Sequence, residues 1–273
     1  MFLTDQHIHC AVSQDSAAPM RDMVLASARA GIGSMCFTDH CDLVEWRTYE
    51  LRADCGEMPR RELDAREKMR ASFGGEPPIP VYAGLELGEP LFEPELARSI
   101  AETPGLDFVL GSLHILQKHG DVWFIDYRSP EHCREVYEDY LDELIAIARL
   151  DFFDVMAHIG YPHRCMLRAG FDEELTLGRF GEKIEALLKS LIDKGQGIEI
   201  NCSGIRDGCG PFPSPEIIRL YKSLGGEIIT VGSDAHAPSD AGKCIAEGTQ
   251  IIKDCGFDAV AVFKNRIPEF IKI

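Results

Sequence analysis

Short hydrophobic runs and amphipathic stretches alternate along almost the whole chain. Runs within Phe2–His9, Ser34–His40, Pro80–Leu87, Phe108–His114, Phe153–His158, Gly197–Asn201 and Ile228–Asp234 have the length and the branched or aromatic content of buried strands. Between them, Pro19–Ala30, Arg60–Phe73, Pro94–Thr103, Pro130–Leu150, Glu173–Lys194, Ser214–Leu224 and Ala241–Cys255 repeat apolar positions with helical spacing. Several of these segments open on proline or an acidic residue and several close on glycine, as helix ends do. The pattern predicts strand–helix units, and a chain of 273 residues has room for one large domain of them, residues 1–273. Gly74–Pro80 reads as the loop before the third strand, and no internal repeat, low-complexity tract or linker is visible.

Repeated units of this kind build either a closed barrel or an open doubly wound sheet. Polar residues decide between them, because a histidine or carboxylate closes nearly every predicted strand. Barrel proteins assemble sites from many strand ends at one mouth, whereas an open sheet uses mainly its switch point. A barrel is therefore expected.

Charge and composition narrow the partners. The 45 acidic and 28 basic residues give a formal charge of −17, which opposes approach to nucleic acid or an acidic membrane surface. No apolar run approaches the ~18 residues of a membrane span. The start, MFLTDQHIHC, lacks the charged and then apolar stretches of a signal peptide, so a cytoplasmic location is expected. The ten cysteines form no Cys-x-x-Cys pair and are expected to be reduced, buried thiols.

The chemistry begins at Asp5-Gln6-His7-Ile8-His9, where the strand period of two puts both imidazoles on one face, a geometry suited to two ligands of one metal. A lone His-x-His is weak. It is joined by Thr38-Asp39-His40, Gly84-Leu85-Glu86-Leu87-Gly88-Glu89, Gly111-Ser112-Leu113-His114, Ala157-His158-Ile159-Gly160 and Gly232-Ser233-Asp234-Ala235-His236, each closing a predicted strand. Six of the nine histidines thus fall at strand ends, a concentration that metal binding explains and scattered surface histidines do not.

With these motifs the sequence resembles the PHP family of metal-dependent phosphoesterases, which implies a distorted (β/α)7 barrel of the amidohydrolase type and three divalent metal ions, as zinc, manganese or iron. Within the family, Gly84-Leu85-Glu86-Leu87-Gly88, Gly111-Ser112-Leu113-His114, Ile198-Glu199-Ile200-Asn201-Cys202-Ser203-Gly204-Ile205-Arg206 and Pro213-Ser214-Pro215-Glu216 resemble the histidinol-phosphatase branch. That resemblance implies hydrolysis of L-histidinol phosphate to L-histidinol and phosphate, a step of histidine biosynthesis. It also implies a first metal on His7, His9, Glu86 and Asp234, a second on Glu86, His114 and His158 with Glu86 bridging, and a third on Asp15, His40 and His236. Asp15 stands where many family members have histidine, and a helix N-cap is its competing role.

Such a cluster suits a phosphate monoester, a dianion that resists anionic attack until its charge is neutralised. Two metals sharing Glu86 would also hold and acidify a bridging water, which then attacks phosphorus as hydroxide. Glu86 and Asp234 are accordingly the expected catalytic centre. Arg206, with its planar fork, is expected to join them on the substrate phosphate, the alternative being a surface salt bridge. Arg164 and His163 are further candidates for substrate contact. Glu89 and Asp39 are candidate acceptors that orient ligating histidines, Asp39 equally a turn cap, and His119 and His132 read as structural. The rival readings are a phosphoesterase for another small ester, an exonuclease of the kind attached to DNA polymerases, and a non-catalytic metal-binding barrel.

Overall fold

In the computed structural model, which describes residues 2–45 and 47–273, every segment predicted as a strand contributes one, most of them shorter than the predicted run. The strands are β1 (Thr4–Ile8), β2 (Ser34–Phe37), β3 (His40–Asp42), β4 (Val81–Gly88), β5 (Phe108–Ser112), β6 (Ile115–Leu116), β7 (Gly120–Asp121), β8 (Val155–Met156), β9 (Gly197–Asn201), β10 (Ile229–Gly232), β11 (Ala259–Lys264) and β12 (Ile267–Lys272). The order β1-β2-β4-β5-β8-β9-β10 runs parallel throughout, with β3 set off this path against β4. These are the seven strands of the expected barrel.

The barrel is distorted at its seam. Strands β1 and β10 meet without a regular ladder, through the Asp234 N–H on the His7 carbonyl at 2.8 Å and the His9 N–H on the Ala235 carbonyl at 3.0 Å. The buried Asp5 carboxylate adds a clasp by accepting the Ser233 N–H at 2.9 Å. A register shift inside β1 accompanies this seam.

The helices are α1 (Met20–Arg29), α2 (Met58–Ser72), α3 (Pro94–Ala101), α4 (Pro130–Ile147), α5 (Pro162–Arg168), α6 (Leu177–Asp193), α7 (Ser203–Arg206), α8 (Pro215–Ser223) and α9 (Ile245–Asp254). Local chemistry explains their limits. In α1 the buried Met20, Met23, Val24 and Ser27 recur at i, i+3, i+4 and i+7, so one stripe faces the strands. Helix α4 starts because Pro130 suits the first turn and the Ser129 hydroxyl accepts the His132 N–H at 3.1 Å.

Outside the predicted pattern, β11 and β12 form an antiparallel hairpin over the end of the barrel where the strands begin. Phe263 of β11 stacks on Phe108, the first residue of β5, with ring centroids 4.7 Å apart. Arg266, in the turn, donates to Asp154, Ala101 and Phe152 just ahead of β5 and β8. The opposite end, where strands finish, stays open.

Candidate metal centre

All nine candidate ligands converge at that open end, which encloses a cavity of about 520 Å³. Strand ends put them there. His7 is the last residue but one of β1 and His9 follows the strand, β3 pairs His40 with Glu86 of β4, and His114, His158 and Asp234 each lie two residues beyond β5, β8 and β10. His158 and Asp234 adopt φ of 27° and 53°, backbone rarely taken by residues other than glycine, which turns their side chains back over the mouth.

The donor atoms of His7, His9 and Asp234 lie within 4.8 Å of one another, as do those of Glu86, His114 and His158, and those of His9, His40 and His236. Glu86 is central: Oε1 lies 2.8 Å from His158 Nε2 and 3.1 Å from His114 Nε2, while Oε2 lies 2.9 Å from His40 Nδ1 and 3.4 Å from His7 Nε2. Asp15 reaches His236 Nε2 at 3.0 Å and His40 Nε2 at 3.4 Å. It does not cap α1, whose N-cap is Pro19. His119 and His132 stand apart, His119 against Asp139 at 2.6 Å.

Electrostatics shows how tightly the cluster is coupled. Burial disfavours charge on His7, yet Glu199, Glu86 and Asp234 outweigh it and push its pKa up. Burial, with His236 and His40, pushes His9 down to about 4. Glu86 and Asp234 are driven below the usual carboxylate range against their own burial by the surrounding imidazoles. Glu199 takes the Nδ1 proton of His7 at 2.7 Å and Ser13 that of His9 at 3.1 Å, so both rings turn Nε2 toward the mouth, where the two nitrogens lie 3.1 Å apart. His114 Nε2 and His158 Nε2 likewise lie 3.4 Å apart, both against Glu86 Oε1. Ring nitrogens this close to one another and to buried carboxylates form a donor set that fits divalent metals.

Two predicted substrate groups are placed elsewhere. Arg206, at the end of α7, does not line the cavity; its guanidinium turns behind the mouth and donates to the Ser233 carbonyl at 2.8 Å. His163 pairs with Asp172 at 3.2 Å and lines a separate cavity of about 150 Å³. Arg164 does line the main cavity, held by the Ser203 hydroxyl and by Asp207 at 3.1 Å, with Tyr161 and Phe212 beneath it. Glu89 accepts the His114 N–H at 2.9 Å, and Asp39 acts through Ser13.

Two further residues complete the centre. Glu199, inside β9, accepts from His7 Nδ1 and, through its other oxygen, from the His158 N–H at 2.9 Å. Asp42 lies 3.7 Å from His40 Nδ1 and 3.6 Å from His114 Nδ1. The signal for Glu199 was an acidic residue within an apolar strand, two places before Asn201 and so on the same face.

A parallel barrel with histidines and carboxylates gathered at one mouth defines a metal-binding α/β barrel protein. The family model described as PHP domain matches residues 5–203, and the chain belongs to that family. It is 26% identical over 264 residues to a probable histidinol-phosphatase of Thermotoga maritima, covering 95% of both chains. To a histidinol-phosphatase of Lactococcus lactis it is 26% identical over 266 residues, covering 96% of this chain and 94% of that one. The fold matches the crystal structure of the histidinol phosphate phosphatase of L. lactis, complexed with zinc, L-histidinol and phosphate, with TM-score 0.77, 23% identity and 98% of each chain covered.

Proposed function

We propose that the chain, as one barrel domain of residues 1–273, hydrolyses L-histidinol phosphate to L-histidinol and inorganic phosphate. The observation that carries this is the set of imidazole nitrogens gathered around Glu86, a metal-type donor cluster open to a cavity of substrate size. The names of the relatives support the substrate. Residues past 203, outside the family match, supply Asp234 and His236, which favours a single unit.

Three divalent ions, as zinc, manganese or iron, would be held by His7, His9, Glu86 and Asp234; by Glu86, His114 and His158; and by Asp15, His40 and His236. Bound there, they supply neutralisation of the phosphate dianion and acidification of a water. The chain's own residues do the rest. Glu86 and Asp234 fix the cluster, and Glu199 and Ser13 keep the ligating nitrogens of His7 and His9 free of protons. Arg164, taking the role expected of Arg206, presents its guanidinium to phosphoryl oxygens. Asp42 and Asp121 line the same cavity and favour a substrate with a cationic amine, and Trp123 and Phe124 give part of its wall aromatic character. The setting is the cytoplasm, where ten unpaired cysteines stay reduced.

The test is phosphate release by metal-reconstituted protein from histidinol phosphate, a nucleoside monophosphate, a phosphotyrosine peptide and single-stranded DNA. Histidinol phosphate should give the highest kcat/KM. An equal or better rate on another ester transfers the site to that substrate, and no release from any ester removes the enzymatic reading.

A further inference from the structure

Beside the ligand cluster lies a fully buried group that the reaction leaves unused: Cys10, Asp39 and Glu62, whose donor atoms sit within 4.8 Å of one another. Asp39 is an acceptor on both oxygens. Its Oδ1 takes the Cys10 N–H at 2.7 Å, the Ser13 N–H at 3.1 Å and the Ser13 hydroxyl at 2.6 Å, and its Oδ2 takes the Cys10 thiol at 3.0 Å. Ser13 gives its single proton to Asp39, so its lone pairs accept the His40 N–H at 2.9 Å and the Nδ1–H of His9 at 3.1 Å. That chain decides the His9 tautomer and leaves Nε2 bare toward the metals.

Glu62 enters this group from α2. It is 0% exposed, and among the described residues neither carboxyl oxygen meets an N–H or O–H donor. Arg66, one turn further along α2, gives its guanidinium to Asp107 at 3.0 Å instead. An ionised Glu62 would be a buried anion facing a second carboxylate; the Arg66 charge favours that anion but makes no ion pair with it, and burial with the facing Asp39 outweighs it. A metal ion across the three groups would require the Cys10 thiolate. Burial and Asp39 push that thiol far above its ordinary range, and its S–H is already donated to Asp39. A proton meets neither objection.

We infer that Glu62 is a positioning residue, a neutral carboxylic acid whose O–H donates to Asp39 and so fixes the Asp39–Ser13–His9 chain behind the metal centre. Burial and the facing Asp39 also raise the Glu62 carboxyl well above its ordinary range. The inference rests on His9 being a metal ligand, the reading proposed above.

Three measurements on the full chain test it. In infrared difference spectra of metal-free wild type against Glu62→Gln at neutral pH, a protonated-carboxyl carbonyl band should be lost; no such band overturns the proposal. In zinc titrations against a chromophoric chelator, Glu62→Leu should bind about 10–100-fold more weakly. Glu62→Gln, whose amide N–H replaces the acid O–H, should recover to within about threefold. Ser13→Ala should match the leucine variant, and the double variant should weaken no further, as members of one chain do. Wild-type affinity in the leucine variant, or additive losses, would make Glu62 mere packing. Loss of a whole zinc equivalent in Glu62→Gln would make the group a metal site. If the leucine variant does not fold, the infrared band and the glutamine variant's zinc affinity decide. If wild type itself binds no zinc, the metal reading is what fails, and the band alone decides whether Glu62 holds its proton.

Discussion

Glu199 Oε1 lies 2.7 Å from His7 Nδ1, while its other oxygen accepts the His158 N–H at 2.9 Å, so one buried carboxylate holds ligands of two proposed metals. Both partners are donors, which a carboxylate can serve together. An amide cannot: in Glu199→Gln the NH₂ group must face either the His158 N–H or the Nδ1 of His7, and the second arrangement puts a proton on the metal-facing nitrogen. Glu199→Gln should therefore weaken metal affinity about 10–100-fold with little change in circular dichroism. Isothermal titration with zinc checks this, and wild-type affinity would show that the contact orients nothing.

The same pair makes Gly232 sensitive. A Cβ built there would stand 2.3 Å from His7 Cβ and 2.4 Å from Glu199 Oε1, and neither neighbour ends a flexible, exposed side chain. Gly232→Ala should lower the unfolding midpoint by several degrees, from overpacking of about 1–3 kcal/mol, and metal content should fall with it. A variant with unchanged melting and full metal would mean that β1 and β10 can part at this point without consequence.

Arg164 and Arg206 offer a paired test, because one lines the cavity and the other bonds behind it. Arg164→Ala removes a charge-assisted fork from the phosphate and should lower kcat/KM by roughly 30- to 1,000-fold, from a loss of about 2–4 kcal/mol. Lysine at 164 should restore only part of it. Arg206→Ala should leave kcat/KM within about tenfold and act mainly on thermal stability, through the loss of its bond to the Ser233 carbonyl. Steady-state kinetics with metal content measured in the same samples separates the two, and a larger kinetic loss at 206 than at 164 would return the phosphate role to Arg206.

The barrel and the gathering of histidines and carboxylates at its mouth were legible because they rest on one regularity, polar residues where apolar runs stop, which needs no knowledge of side-chain direction. Arg164 and Arg206 show where that ends. Both follow a strand by a few residues, but α7 is a single turn and the direction of a guanidinium on it depends on packing that periodicity does not encode. Glu199 was within reach, since alternation along Gly197–Asn201 puts it on the face of Asn201. The β11–β12 hairpin was likewise open to reading, as two alternating runs around Asn265-Arg266. It fell outside the strand–helix repeat that organised the expectation. Glu62 was not legible, because one acidic residue on a charged helix looks like its neighbours until burial singles it out.

Glu143 gives a stability prediction away from the metals. It lies on α4 and accepts the Gln117 N–H at 2.9 Å, while its other carboxyl oxygen is buried without a partner among the described residues. Burial raises its pKa from 4.5 to about 7, with the nearby Asp139 adding to the rise and the Gln117 N–H opposing it. The sign follows from linkage: the unfolded chain releases this proton near pH 4.5 and the folded one near 7, so stability is lost as pH rises through that window. Glu143→Gln stays neutral and keeps an oxygen for Gln117. It should be more stable than wild type at pH 8 by about 1 kcal/mol, less than the full shift implies because the group still reaches water. The advantage should shrink toward zero as pH falls to about 4.5. Urea unfolding of both proteins at pH 8, 6.5 and 5 checks the trend, and a difference independent of pH, or a less stable variant at pH 8, would refute a carboxyl that ionises late.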